Sequence, residues 1–333
     1  MMSNFRWTHR IARGLRTALA AAATLMLAGH AAAADAPQRE ITILTGSDPY
    51  YLPIILAVEN GYFQAEGLAV KHRMFPSGTD AMLAFRGIGA EFVASGDAPS
   101  LVLWDGGDAV GVAPIYASPE NLLGVVHSDI KTPADLKGKK IGVKRGSTAD
   151  YFLTTYLEKN GLKAADVHIL NLSPPECVPA MSSGSVDGFF LWQPYPGLAL
   201  KVMGSKAHTL TTARGYYMEQ IYLTANRKFA DEHQEVVTKV LRALDKAIAF
   251  VKAQPQKSAE IVARKIKTEP PVVMEVIATK PYTMTYGPAN REQLTKLGEF
   301  LQANGKLKGG IDLKKVFDDK YLGEADKALV VNR

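Results

Sequence analysis

The chain has 333 residues, of which 47% are hydrophobic and 22% are charged, a composition typical of a globular protein long enough for two lobes. Its formal net charge is +6, from 39 Lys and Arg and 33 Asp and Glu. Four of these basic residues are arginines in the first 34 residues, which contain no acid. The rest of the chain therefore has 35 basic and 33 acidic residues, a net charge of +2. This near-neutral balance, without a dense basic run, gives no support to nucleic-acid binding.

Residues 1–34 have the pattern of a secretory signal peptide. Four arginines precede an apolar run of 11 residues, Thr17–Leu27, which is short for a membrane span. Small residues with an Ala-x-Ala pattern follow, which places the cleavage site after Ala34 or, alternatively, after Ala36. We therefore predict cleavage, export and a periplasmic location. The only cysteine, Cys177, lies far from the cleavage region, so the sequence predicts neither a lipoprotein anchor nor an intrachain disulfide.

From Glu40 onwards, short β-type runs alternate with helix-type segments. The predicted strands are 40–44, 69–74, 91–95, 109–116, 139–143, 166–170 and 186–192. The predicted helices among them are 53–63, 79–87, 99–106, 150–161 and 176–184. This alternation predicts an α/β fold with mainly parallel sheets.

Beyond Asp231 the pattern changes to consecutive helices. One apolar stripe at helical spacing consists of Val236, Val240, Leu244, Ile248 and Val251. Further helical segments are 256–266, 270–280 and 290–305. We expect two α/β lobes, with these C-terminal helices packed against the first.

Three predicted strand-to-helix junctions combine glycine with hydroxyl or carboxylate side chains. They are Ser77-Gly78-Thr79, Gly96-Asp97 and Gly146-Ser147-Thr148. Each is explained either by a plain helix N-cap or by an oxyanion seat on the free N–H groups of a helix start. Because such junctions gather at one edge of an α/β sheet, three together favour an anion site. A carboxylate at Asp97 would repel the anion unless it caps its own helix, and we favour that interpretation.

Two aromatic pairs are candidates for a pocket wall or, equally, for core packing: Tyr50 with Tyr51, and Trp192 with Tyr195. The second pair lies among prolines, which predicts a rigid loop. The five histidines after the leader are dispersed without metal-ligand spacing, and the chain has no P-loop, G-x-S-x-G or complete G-x-G-x-x-G. The sequence therefore predicts no catalytic residue, metal or cofactor.

Several longer blocks carry a family resemblance. They are LPIILAVENGYFQAEGLAV, PSGTDAMLAF, ASGDAPSL, KTPADLKGKKIGVKRGSTADYFLTTYLEKNGL, MSSGSVDGFFLWQPY and NRKFADEHQEVVTKVLRAL. Together they resemble the periplasmic solute-binding proteins of the nitrate/sulfonate/taurine class of ABC importers, and the related binding proteins for pyrimidine precursors of thiamine. The resemblance implies a type II periplasmic binding protein fold, with a cleft between two lobes. It also implies two hinge crossings, near Val125–His127 and Tyr222–Ala225, so that lobe 1 comprises 38–125 and 226–333 and lobe 2 comprises 126–225.

The resemblance also implies which residues contact the ligand. In the second lobe they are Gly146, Ser147 and Thr148 at the anion seat, with Trp192 and Tyr195 on the far wall. In the first lobe they are Ser77, Gly78, Thr79, Gly96 and Asp97, with Tyr50 and Tyr51 in a segment that varies with the ligand. The segment SDPYYLP is unusually aromatic for a simple sulfonate binder, which leaves an aromatic carboxylate or a pyrimidine open as ligand.

The implied mechanism is ligand capture by lobe closure, without turnover, by a monomer that delivers its solute to a transmembrane permease with a cytoplasmic ATPase. One alternative is an enzyme of the same fold, of the thiamine-pyrimidine synthase type, but that type carries a cysteine-rich motif and this chain has one cysteine. A second alternative is a sensing subunit that docks on a receptor. The fold alone does not separate transport from sensing.

Overall fold

The computed structural model describes residues 38–331, and ten strands in this part of the chain form two five-stranded sheets. The predicted signal peptide, residues 1–34, lies outside the described residues. The strands are β1 (Arg39–Gly46), β2 (Leu68–Phe75), β3 (Phe92–Gly96), β4 (Ala109–Ser118), β5 (Leu122–His127), β6 (Lys140–Val143), β7 (His168–Asn171), β8 (Gly188–Trp192), β9 (Ala207–Thr212) and β10 (Glu219–Asn226). The first sheet has the order β2-β1-β3-β10-β4 and the second has the order β7-β6-β8-β5-β9.

Helices flank both sheets, and those beyond Asp231 are consecutive, as predicted. The α-helices of the described chain are α1 (Leu52–Glu59), α2 (Tyr62–Ala65), α3 (Gly78–Ile88), α4 (Asp97–Asp105), α5 (Thr148–Lys159), α6 (Pro174–Ser182), α7 (Tyr195–Met203), α8 (Arg227–Glu232), α9 (Gln234–Ala253), α10 (Pro255–Ile266), α11 (Pro270–Ala278), α12 (Pro288–Ala303), α13 (Leu313–Val316) and α14 (Lys320–Ala325). Short 3-10 turns lie at Pro49–Tyr51, Pro133–Leu136, Ala164–Asp166, Gly204–Lys206 and Lys327–Leu329. None of the described helices is both long and apolar enough to cross a membrane.

The hydrophobic pattern explains how these elements pack. Every residue of β3 and of β8 is buried, as expected for central strands covered by helices on both faces. The predicted stripe of α9 is confirmed, because all five of its residues are buried. The predicted helix 53–63 is split into α1 and α2 at Gly61, whose φ of 71° lies in the left-handed region and ends the first helix.

The α/β class is confirmed, but the sheets are mixed and not mainly parallel. β1 pairs with β3, and β6 pairs with β7 and β8, in parallel; β10 is antiparallel to β3 and β4, and β5 is antiparallel to β8 and β9. Three strands, β5, β9 and β10, were not predicted from the sequence. β5 follows β4 and β10 follows β9 without a helix between them, so a search for strand–helix alternation did not separate them. β9 follows α7, but its residues AHTLTT are mostly polar or small and only partly buried, so they give no clear strand pattern.

The chain passes from one sheet to the other twice. It leaves the first sheet at Ser118, enters the second at Leu122, and returns between Thr212 and Glu219. We call the parts built around the first and second sheets the first lobe and the second lobe. The predicted boundaries at 125/126 and 225/226 lie within β5 and β10, a few residues beyond these connections, and the exact division into lobes stays a prediction.

Strand direction decides which residues meet between the lobes. The parallel strands β1 and β3 end at the same edge of the first sheet, and β10 begins there, because Ile221 pairs with Gly96 and Glu219 pairs with Ser118. In the second sheet, β6 and β8 end together and β5 begins beside Trp192. The residues just after these strand ends form the candidate site.

Candidate functional site

A small cavity lies between the carboxyl-terminal edges of the two sheets. Its volume is about 20 Å³, which is room for one water-sized group. Both lobes contribute to its lining, which consists of Asp48, Tyr50, Tyr51, Gly78, Thr79, Ser95, Gly96, Ser147, Thr148, Trp192, Glu219 and Ile221. The structure therefore brings together residues that lie up to 173 positions apart, from Asp48 to Ile221.

Eight of the twelve sequence-predicted ligand contacts line this cavity. They are Tyr50, Tyr51, Gly78, Thr79, Gly96, Ser147, Thr148 and Trp192. The other four, Ser77, Asp97, Gly146 and Tyr195, do not line it. Whether the eight contact a ligand stays a prediction.

Two helices from different lobes begin at the cavity. Ser77 caps α3, where its Oγ accepts a hydrogen bond from the Asp80 N–H at 3.1 Å, and Ser147 caps α5, where its Oγ accepts from the Ala149 N–H at 3.2 Å. The N–H groups of the first helical turn have no acceptor within the helix, and the helix dipole favours negative charge there. The lining residues Gly78, Thr79 and Thr148 belong to these first turns. The two helix starts together form a suitable seat for an oxyanion.

The lobes contact each other around the cavity. Thr148 Oγ1 donates to Asp97 Oδ1 at 3.5 Å, and the Lys144 ammonium lies 2.7 Å from Asp80 Oδ1, with both side chains mostly buried. Thr148 also packs directly on Gly96, where a Cβ atom would overlap its hydroxyl oxygen. Each of these contacts joins one lobe to the other, so the structure has the lobes closed on each other.

Aromatic rings form part of the cavity wall. Tyr51 packs between Gly46 and Gly78, and a Cβ at Gly46 would lie 2.5 Å from the Tyr51 ring. Tyr50 makes an edge contact with Tyr116, with ring centroids 4.8 Å apart. Trp192 is only 6% exposed, and its Nε1–H is buried without a hydrogen-bond acceptor in the described residues.

Four lining residues were missed by the sequence analysis: Asp48, Ser95, Glu219 and Ile221. Asp48 caps the 3-10 turn that follows β1 and accepts a hydrogen bond from the Tyr50 N–H at 3.1 Å. Burial raises the pKa of Asp48 to about 8, although the hydrogen bond from Tyr50 lowers it in part. Burial also raises the pKa of Glu219 well above its ordinary value, and the nearby acids Asp97 and Asp48 add to this effect. Asp48 could have been suspected from its place after a strand, as at the other junctions, but no local signal identified Glu219.

Asp97 does not cap its helix, contrary to the sequence analysis. The N-cap of α4 is Gly96, and no side chain caps it. The Asp97 carboxyl is fully buried and accepts hydrogen bonds from the Ala98 N–H at 2.8 Å and from the Gln293 amide at 3.2 Å. Burial raises the pKa of Asp97 to about 7, and these hydrogen bonds lower it only in part.

Gly146 and Tyr195 also lie outside the lining. Gly146 is exposed, with a φ of 75°, in the turn that precedes α5, where its N–H donates to Asp150 Oδ2 at 2.9 Å. The glycine is needed for this left-handed turn. Tyr195 is the first residue of α7 and is partly buried, so the expected rigid loop is limited to the two residues between β8 and α7.

A larger groove of about 420 Å³ adjoins the cavity and shares Thr79 and Ser147 with it. Apolar side chains from both lobes and from α12 form much of its surface. They include Met82, Leu83, Val102, Leu103, Tyr151, Phe300 and Leu301.

Two sheets joined by two crossings, with a polar cavity between their facing edges, define the two-lobed periplasmic binding protein fold of type II. The chain belongs to the NMT1/THI5-like family, whose model matches residues 48–258. A solved structure with this fold is the periplasmic aliphatic sulphonate binding protein SsuA from Escherichia coli, with a TM-score of 0.73 and 22% identity over 84% of this chain and 97% of that one.

Relatives with similar sequences have names that refer to more than one ligand. A candidate aliphatic sulfonates-binding protein of Escherichia coli (strain K12) is 28% identical over 66% of this chain and 68% of its own length. The corresponding protein of Bacillus subtilis (strain 168) is 28% identical over 82% and 84%. A formylaminopyrimidine-binding protein of Halalkalibacterium halodurans is 25% identical over 63% and 64%.

The fold also occurs in an enzyme. The desulfurization enzyme DSZB has a TM-score of 0.65 and 16% identity over 86% of this chain and 99% of its own. At this identity the likeness shows the fold alone.

Proposed function

We propose that the protein is the solute-binding component of an ABC importer and captures a small solute between its lobes outside the cytoplasmic membrane. The observation that supports this function most directly is the cavity between the facing edges of the two sheets, because residues of both lobes line it. Three of its buried polar atoms, Ser95 Oγ, Trp192 Nε1 and Glu219 Oε2, have no hydrogen-bond partner in the described residues. Because buried polar groups in proteins are nearly always hydrogen-bonded, these atoms are suited to a ligand that completes their bonds.

Capture follows from the division of the lining between the lobes. With the lobes apart, a solute meets the first-lobe residues, including Gly78 and Thr79 at the start of α3. Closure then adds Thr148 and Trp192 from the second lobe, and a ligand that contacts both lobes favours the closed form by that additional binding free energy. The closed protein, as a monomer, docks on a transmembrane permease served by an ATPase.

We consider two ligand classes. The first is an aliphatic sulfonate, and the second is a planar ring compound, either an aminopyrimidine or an aromatic carboxylate. The starts of α3 and α5 support an oxyanion, and the names of the sulfonate-binding relatives agree with it. The aromatic wall of Tyr50, Tyr51 and Trp192 supports a planar ring, and the formylaminopyrimidine-binding relative agrees with that class.

Nucleophilic catalysis on this fold has less support. The one cysteine, Cys177, is buried on α6, does not line the cavity, and has a thiol pKa that burial raises to about 12. None of the described residues that line the cavity is a histidine. The lining therefore favours binding over thiol chemistry.

A thermal-shift screen of the mature protein tests the proposal. The panel contains sulfonates, nitrate, taurine, aromatic carboxylates and aminopyrimidines. A ligand that binds only the folded state stabilises it by about 2.7 kcal/mol at a concentration of 100 Kd, so a genuine ligand raises the Tm clearly. If no compound of any class raises the Tm, the solute-binding proposal is wrong.

A further inference from the structure

The cavity contains two carboxyl groups that the oxyanion seat does not use. Asp48 and Glu219 line it from the first lobe and are 5% and 2% exposed. Asp48 accepts a hydrogen bond from the Tyr50 N–H, whereas Glu219 Oε2 is buried without any donor in the described residues. A buried carboxyl oxygen without a hydrogen-bond donor destabilises the folded protein. Glu219 Oε2 is therefore an acceptor that a ligand N–H could satisfy.

No basic side chain of the described residues lines the cavity to balance these two acids. Lys144, which approaches from the second lobe, is held by Asp80 at 2.7 Å. Asp97 lies behind the lining and adds a third acid, which contributes to the raised pKa of Glu219. A positive partner that would allow these acids to ionise therefore has to come with the ligand.

We propose that Asp48 and Glu219 form a subsite for a basic, N–H-bearing group of the solute, such as an amine, an amidine or the amidine-like edge of an aminopyrimidine ring. The assignment rests on the proposed solute-binding function and narrows its ligand class. A ligand N–H donates to Glu219 Oε2, and the positive charge compensates the buried acids. At the observed lobe separation the cavity of about 20 Å³ has room for one group the size of an ammonium. A simple sulfonate or nitrate lacks this donor and leaves Glu219 Oε2 without a partner.

Proton release on binding is a second consequence. The titratable groups that influence Asp48 and Glu219 are acids or phenols: Asp97, Tyr50, Tyr51, Tyr116, Tyr195, Tyr217 and Tyr282. Burial raises the pKa of Asp48 to about 8 and that of Glu219 well above its ordinary range, so burial favours the protonated form of both acids in the ligand-free protein. A bound cation lowers both pKa values, and binding therefore releases protons to the buffer.

The test compares matched ligands by titration calorimetry on the mature protein. One pair is taurine against ethanesulfonate, which differ in the amine alone; the other is 4-amino-2-methylpyrimidine against 2-methylpyrimidine. We expect the amine-bearing member of one pair to bind at least about tenfold more tightly. Taurine's amine is already protonated near pH 7, so its titration in two buffers of different ionisation enthalpy should show proton release by the wild-type protein, a readout that needs no variant. A neutral aminopyrimidine would instead take up the carboxyl proton and release none.

Glu219→Gln and Asp48→Asn test the subsite itself. Both preserve side-chain shape and remove the negative charge, and we expect them to reduce the preference for the amine-bearing ligand by at least about tenfold and to diminish the proton release. Glu158→Gln on the exposed face of α5 is the matched control and should change neither.

The possible outcomes separate the subsite from the wider function. If amine-free ligands bind as tightly as their partners, or if taurine binds without releasing a proton, the subsite assignment is wrong while the solute-binding function stands. The subsite assignment is also wrong if the Glu158→Gln control loses the preference for the amine-bearing ligand to the same extent as Glu219→Gln and Asp48→Asn. If no member of either pair binds and the wider screen finds no ligand, the subsite and the proposed function fail together.

Discussion

Gly96→Ala inserts a methyl group at the point where the first lobe contacts the second. A Cβ at Gly96 would overlap Thr148 Oγ1 and lie 3.4 Å from Thr148 Cβ. Gly96 itself has φ −58° and ψ 157°, a conformation that alanine adopts without strain. The first lobe therefore tolerates the substitution, and the overlap arises only when the second lobe closes.

The magnitude follows from the cost of overpacking. Inserting a methyl group into a well-packed contact costs about 1–3 kcal/mol, which corresponds to roughly 5- to 140-fold in affinity when only the closed form holds the ligand. Rotation of the Thr148 side chain would relieve the overlap but would give up its hydrogen bond to Asp97. We therefore expect weaker binding together with a shift of the free protein towards the open form.

Two assays read this out. Calorimetry gives the Kd of a ligand found in the thermal-shift screen, and small-angle scattering gives the radius of gyration of the free protein, which should increase. Gly87→Ala on the exposed side of α3 is the control, because a Cβ there meets nothing within 4 Å. Equal Kd values and equal radii for Gly96→Ala and the wild-type protein would refute the reasoning that closure brings Thr148 onto Gly96.

Two further predictions concern Asp80 and Asp48. Asp80→Asn removes the mostly buried ion pair with Lys144 that joins the lobes, and it should weaken ligand binding by roughly fivefold, about 1 kcal/mol, in calorimetry. The control Asp108→Asn breaks the exposed ion pair with Arg86 within the first lobe and should leave the Kd unchanged. Equal effects of the two variants on the Kd would contradict the role of the Asp80–Lys144 pair in lobe closure. The pKa of Asp48 is raised by burial from 3.8 to about 8, so its contribution to stability is fully present below about pH 3.8 and is lost as the pH rises through about 8. Between about pH 5 and about pH 8, the unfolding free energy of the ligand-free wild-type protein should therefore fall more steeply with pH than that of Asp48→Asn, by up to about 1.4 kcal/mol per pH unit. Denaturant unfolding at several pH values measures this, and the same dependence of the unfolding free energy on pH in both proteins would contradict the burial argument.

The sequence predicted much of the cavity because local patterns carry that information. The junctions at Gly78, Gly96 and Ser147 each show a strand, a glycine or hydroxyl residue, and then a helix. Parallel strands bring such junctions to one edge of each sheet, and the two-lobed fold that the family resemblance implied brings the two edges together. Trp192 was found for a similar reason, since it ends β8 at the facing edge.

Glu219 could not be predicted in the same way. It enters the site because β10 returns antiparallel between β3 and β4 and starts at the edge where they end. That placement depends on a pairing across more than 100 residues of chain, and the local sequence gives no sign of it. Asp48 was missed for another reason: it caps the 3-10 turn after β1, and a capping aspartate that also lines a cavity looks the same in sequence as one that only caps.

The measurement that tests the account most directly is a tryptophan fluorescence titration. After the predicted leader the chain has two tryptophans, Trp104 in the core, where its Nε1 donates to Thr224 at 2.9 Å, and Trp192 at the cavity. A solute that binds between the lobes should produce a saturable change in emission that disappears in Trp192→Phe, while that variant keeps its fold and the Trp104 signal. A change of the same size in Trp192→Phe would place binding elsewhere and contradict the account.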